Sequence, residues 1–109
     1  MENYTFLELK ISQIPKELND KIKYALSLII HQNIDNRETI LKANFIISHI
    51  LDHERAYGDI FGYQTYINIL SRTTYKFKFY VEIRIMERYN NSYKTLKFMF
   101  DNEFGVTQL

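Results

Sequence analysis

The densest cluster of reactive side chains in this chain is SHILDHERAYGD, residues 48–59, where His49 and His53 stand four apart beside Asp52 and Glu54. Residues four apart share one face of an α-helix, so the pair could offer two imidazoles to a metal ion. A tetrahedral site needs about four ligands, and this spacing supplies two. The helical pattern sets His49 and His53 nearly opposite Ile40, Ile47 and Leu51, on the side of Glu38 and Lys42 and away from the core. His31 falls near the end of the preceding helix, more than about 10 Å off at a rise of about 1.5 Å per residue. The glutamate base of an HExxH zinc hydrolase is absent. Solvated histidines near a helix C-terminus, where a cation is favoured, account for the pair. His49 and His53 are therefore weak metal candidates, and no metal is expected. Glu54 lies in line with the apolar stripe, where a carboxylate needs a partner or water; fraying of the last turn would give it water.

Other chemistries lack their residues. There is no cysteine, which removes disulfides, thiolate nucleophiles and zinc–cysteine clusters. The three glycines, Gly58, Gly62 and Gly105, form no Walker loop, dinucleotide fingerprint or G-x-S-x-G elbow. No serine is tied by spacing to His and Asp. No cofactor and no catalytic residue are expected.

The elements that position the remaining candidates follow from periodicity. A chain of 109 residues with 46% hydrophobic and 16% aromatic content makes one domain, 1–109, with a real core. Leu18, Ile22, Ala25 and Ile29, widened by Leu26 and Ile30, recur at helical spacing, and Pro15 suits a first helical position. The pattern predicts a helix over 15–33. Asp35 or Asn36 can cap a second helix over 36–57, with Glu38 in the capping-box position and Ile40, Ala43, Ile47, Ile50 and Leu51 as its stripe. Gly58 is its terminator, and the short connection predicts an antiparallel hairpin.

The strands show a different period. In YKFKFYVEIRI, residues 75–85, Tyr75, Phe77, Phe79, Val81, Ile83 and Ile85 alternate with Lys76, Lys78, Tyr80, Glu82 and Arg84. This period of two marks a half-buried strand over 74–87. Leu96, Phe98 and Phe100 alternate likewise in a strand over 93–101. A turn centred on Asn90-Asn91 sets Ile85 opposite Leu96, Ile83 opposite Phe98 and Val81 opposite Phe100, and Glu87 opposite Lys94. Weaker alternation predicts strands over 3–11 and 63–70. The expected fold is α+β, β-α-α-β-β-β, a helical hairpin on one face of an antiparallel sheet.

Charge then separates the halves. Residues 1–62 carry seven Lys/Arg against nine Asp/Glu, residues 63–100 seven against two, and residues 101–109 none against two. The near-neutral whole, formally +1, thus conceals a basic sheet region. Its solvent side is expected to present Lys76, Lys78, Tyr80, Arg84, Arg88, Lys97 and Tyr66, joined by Tyr4 and Phe6. In that register Arg84 faces Lys97, which costs stability unless an anion or Glu82 offsets it. Rings that stack bases beside cations that hold phosphates suit an open nucleic-acid face; the same Tyr, Arg and Met suit a protein-interface core.

The expected function is a small non-enzymatic binding module, an inhibitor or regulator docking its sheet face on a protein complex that handles nucleic acid. Direct RNA or single-stranded DNA binding is the alternative. A homodimer fits the exposed tyrosine-rich strands. Residues with A/T-rich codons (Phe, Tyr, Met, Ile, Asn, Lys) greatly outnumber Gly, Ala, Arg and Pro, which points to an A/T-rich genome and a phage or mobile-element origin. MENYTFLELK has neither the basic start nor the apolar run of a signal peptide, and no tract is long enough to cross a bilayer, so a cytoplasmic location is expected. The element order is similar to that of RelE/ParE-type toxins, some of which are ribonucleases acting through basic and tyrosine residues on the sheet. The likeness covers topology alone, with no motif carried over residue by residue. Thr107-Gln108-Leu109 also fits a C-terminal peptide-ligand pattern.

Overall fold

The computed structural model describes residues 17–30, 32, 35–72, 76–89 and 92–109. The expected strand 3–11, with Tyr4 and Phe6, lies outside them, as do Pro15 and His31. Two helices, α1 (Leu18–Ile30) and α2 (Asn36–Tyr57), are followed by β1 (Ile60–Arg72), β2 (Phe77–Glu87), β3 (Tyr93–Asp101) and β4 (Gly105–Gln108). The strands form one antiparallel sheet in the order β1-β2-β3-β4. The helical hairpin covers one face of it, α2 over β1 and α1 over β3 and β4. The fold is α+β, as the two periodicities require.

Local chemistry sets the helix ends. The Glu17 carbonyl accepts from Lys21 N at 2.9 Å and opens α1, which buries Ile22, Ala25, Leu26 and Ile29. Asp35 is the cap of α2: its side chain accepts from Glu38 N at 2.7 Å, satisfying one of the orphan donors of a helix start. Thr39, buried, donates its hydroxyl to the Asp35 carbonyl at 2.8 Å. Ala43, Ile46, Ile47, Ile50 and Leu51 form the buried stripe of α2.

The far end of α2 corrects one expectation. Glu54 does not sit in a frayed turn; it stays helical and pairs with Lys21 of α1 at 3.1 Å. The cross-helix partner removes the cost of a carboxylate in line with the core. Gly58 ends the helix, its N–H bonded to the Glu54 carbonyl at 2.7 Å. It does so in extended backbone rather than the left-handed cap common for glycine. The reason for glycine is close approach: a Cβ there would lie 2.8 Å from the Glu54 carbonyl oxygen.

The core is the seam between layers. Phe77, Phe79, Val81, Ile83 and Ile85 of β2 and Leu96, Phe98 and Phe100 of β3 are buried under the helices. Phe79 stacks on Phe77 with centroids 4.9 Å apart and lies 5.8 Å from Phe100. Tyr63 donates its hydroxyl to Asp52 of α2 at 2.8 Å, tying β1 to the helix.

The β2–β3 register differs from the expected one by two residues. Ile85 faces Lys94, Ile83 faces Leu96, Val81 faces Phe98 and Phe79 faces Phe100. Glu87 therefore does not meet Lys94; its N–H bonds the Ser92 carbonyl at 2.9 Å. A shift of two preserves the face of every side chain, so the hydrophobic pattern alone could not separate the two registers. The sheet also gains β4, which was not foreseen. Asp101 accepts from the N–H groups of Glu103 and Phe104 at 2.7 and 3.2 Å, and Gly105 takes φ +91°, a conformation glycine adopts without strain. The tail 107–109 is thus not a free peptide ligand: Thr107 pairs with Met99, Gln108 with Phe98, and Leu109 N donates to the Lys97 carbonyl at 2.8 Å.

Candidate binding face

The helices cover one side of the sheet, and the alternation of β2 and β3 sends the other set of side chains outward. Cross-strand pairing places Gln64 beside Arg84, Tyr66 beside Glu82 and Asn68 beside Tyr80, then Glu82 beside Lys97, Arg84 beside Thr95 and Tyr80 beside Met99. Of the expected residues, Tyr66, Lys78, Tyr80, Arg84 and Lys97 share this open face. Tyr66 is 56% exposed. Arg84 does not face Lys97 as expected. Lys97 instead stands opposite Glu82, beyond ion-pair distance, and the like-charge cost disappears.

The cations are not equivalent. Lys76, just before β2, pairs with Glu103 at 2.7 Å, and Lys78 lies 3.9 Å from Asp101. The two carboxylates of the C-terminal segment thus fold back onto the lysines and neutralise that end of the sheet. Arg88 is drawn elsewhere. Its guanidinium donates to the carbonyls of Arg55 and Ile60 at 2.5 and 3.1 Å, and its N–H bonds the Asp59 carbonyl at 2.7 Å. It braces the end of α2 against β1, where a cation meets the negative end of the helix dipole. Among the described residues, no carboxylate lies within 4.0 Å of Arg84 or Lys97.

Two shallow depressions share Gln64 and Arg84. One is completed by Phe61, Met86 and Tyr93, the other by Tyr66 and Glu82. Arg84 is the cation common to both. Phe61, Met86 and Tyr93 were missed in the sequence: Tyr93 and Met86 follow the outward parity of their strands and were readable. Phe61 reaches the face through a register shift between Ile60 and Gly62, which no periodicity reveals.

Hydrogen bonds tune two tyrosines and one lysine. Tyr80 donates to Glu82 at 2.7 Å, and that acceptor raises the Tyr80 phenol above its ordinary 10.0. Burial, then the bond to Asp52, raises Tyr63. The Glu103 partner raises Lys76 above 10.5. In each case the folded chain holds its proton more tightly than the unfolded chain does. The stabilisation is present below the ordinary value and lost as pH climbs through the raised one. Thermal midpoints should therefore fall from about pH 10 upward, and Tyr80→Phe should soften that fall; an alkaline series of melts checks both.

His49 and His53 stay apart from this face. His49 and His53 are exposed on α2, His49 stacked at 6.4 Å on Phe45 and His53 at 5.0 Å from Tyr57. No cluster of three or more His, Asp or Glu that could hold a metal occurs among the described residues. Nor is any helix among them long and apolar enough to cross a membrane. No protein family, curated protein or solved structure matches the chain. The class of protein is therefore set by the fold alone, a two-layer α+β domain with one sheet face that no described element covers.

Proposed function

We propose that this chain is a small non-enzymatic binding module that docks its open sheet face on a protein complex which handles nucleic acid. In this reading it is a cytoplasmic regulator or inhibitor of phage or mobile-element type. The observation that carries it is the uncovered face itself, with Arg84 and Lys97 unneutralised amid Tyr66, Tyr80, Tyr93, Met86 and Met99. Tyrosine, methionine and arginine are the residues enriched in protein-interface cores.

The charge count favours a protein over a nucleic acid. A protein that makes about 6–10 phosphate contacts binds nucleic acid with a steep salt dependence, whereas here Glu103 and Asp101 occupy Lys76 and Lys78. Two remaining cations would give a single strand a salt slope of only about −1.4. A salt series with labelled single-stranded RNA and DNA decides between the readings. The expected result is no capture of either at physiological salt. Tight capture with a slope several times steeper would instead establish direct nucleic-acid binding. Ribosomal and free RNA should also remain intact after incubation; cleavage lost in Arg84→Ala would make this a sheet-face ribonuclease.

A further inference from the structure

The two edges of the sheet are unlike each other. β4 is four residues long, and a short edge protects itself. β1 runs for 13 residues, IFGYQTYINILSR, without a proline and without a charge from Ile60 to Ser71. Among the described residues no strand lies on its outer side. Natural proteins guard long edges with charge, proline or bulges. Here register shifts occur only between Ile60 and Gly62 and between Ile69 and Ser71, which leaves a regular run over 62–69. Ile69, on the helix-covered side of the sheet, is still 37% exposed.

We propose that β1 is a self-pairing edge, on which a second copy of this chain adds its own β1 antiparallel about a two-fold axis. The absence of charge argues for a copy. Nothing on the strand selects an oppositely charged partner, and two copies meet no like charges. Symmetry then restricts the register. To keep both helical layers on one side of a continuous sheet, each residue must face one of its own parity, so the axis passes by Thr65 or by Tyr66 at the middle of the regular run. The axis at Tyr66 is the one that pairs the amides: it sets Tyr66 opposite Tyr66 of the second copy and Gln64 opposite Asn68. On the helix side it sets Tyr63 opposite Ile69 and Thr65 opposite Ile67. The half-exposed isoleucines are thereby covered, and the two amides face each other as donor and acceptor.

Pairing a single strand from each copy makes a small interface, of the weak and transient class, with dissociation in the micromolar range. Sedimentation equilibrium up to millimolar protein should show a reversible dimer. Gln64→Lys with Asn68→Lys opposes two lysine pairs and should weaken it at least tenfold, with circular dichroism unchanged. Gln64→Lys with Asn68→Glu makes the same two pairs attractive and should restore it. Outward amides of β1 should also exchange more slowly as concentration rises. A wild-type chain that stays monomeric, a dimer indifferent to the double lysine, or one that the Lys/Glu pair fails to restore would each overturn the proposal.

Discussion

Phe79→Ala is expected to destabilise the fold by about 3–5 kcal/mol, the largest loss of any single truncation in the sheet. Phe79 is fully buried on β2, the strand bonded on both sides, and packs on Phe77 and Phe100. Removing a buried phenylalanine ring costs about 3–5 kcal/mol, because lost transfer energy and the cavity add. A domain of this size has only about 5–15 kcal/mol in all. The backbone around the site is pinned by two ladders, so the void has little means of collapsing. Phe104→Ala is the control: at 81% exposure its loss should change stability by under about 0.5 kcal/mol. Urea titration measures both, with the midpoint falling sharply for the first and hardly moving for the second. Equal effects would mean that the helices do not seal this side of the sheet.

Arg84→Glu combined with Lys97→Ala is expected to abolish partner capture while the fold stays native. Both side chains are exposed, and neither has a carboxylate partner among the described residues; their removal breaks no intramolecular ion pair. The stability change should be within about 0.5 kcal/mol for each. Arginines at the centre of interfaces commonly cost about 2 kcal/mol or more on truncation, and charge reversal adds repulsion to that loss. Losses of a hundredfold or more in affinity are therefore expected. Lys78 is the weaker choice for such a test, since Asp101 already lies against it. Titration calorimetry on the isolated partner would measure the change.

The layers were legible because they rest on period. Phe77 through Ile85 and Leu96 through Phe100 alternate, and the stripes of both helices repeat at helical spacing, so face and burial followed directly. Asp35 marked the start of α2 through the same side-chain cap the structure uses, whereas Gly58 marked its end for a different reason, close approach to Glu54 in extended backbone. The pairing was less legible. Arg88 is what the pattern could not weigh: its backbone and guanidinium bind Asp59, Arg55 and Ile60, so the chain leaves β2 at Glu87. The register then sits two residues from the one that a turn on Asn90-Asn91, outside the described residues, would set. That shift moved Lys97 from Arg84 to Glu82. The charge of the face was misjudged for a related reason. Asp101 and Glu103 were counted with the tail, yet the turn into β4 returns them to Lys78 and Lys76. Net charge along a chain says little about a surface until the turns are known.

The central claim is that the uncovered face, and not the helical layer, holds the partner. Its most direct test is capture from nuclease-treated extract of the native host by the wild type and two charge-matched variants. One carries Arg84→Glu with Lys97→Ala; the other carries Lys23→Glu with Arg37→Ala, both exposed positions on the helices. A protein species held by the wild type and the helix variant but lost from the sheet variant is the predicted result. Retention by the sheet variant at wild-type strength, or loss from the helix variant alone, would contradict it.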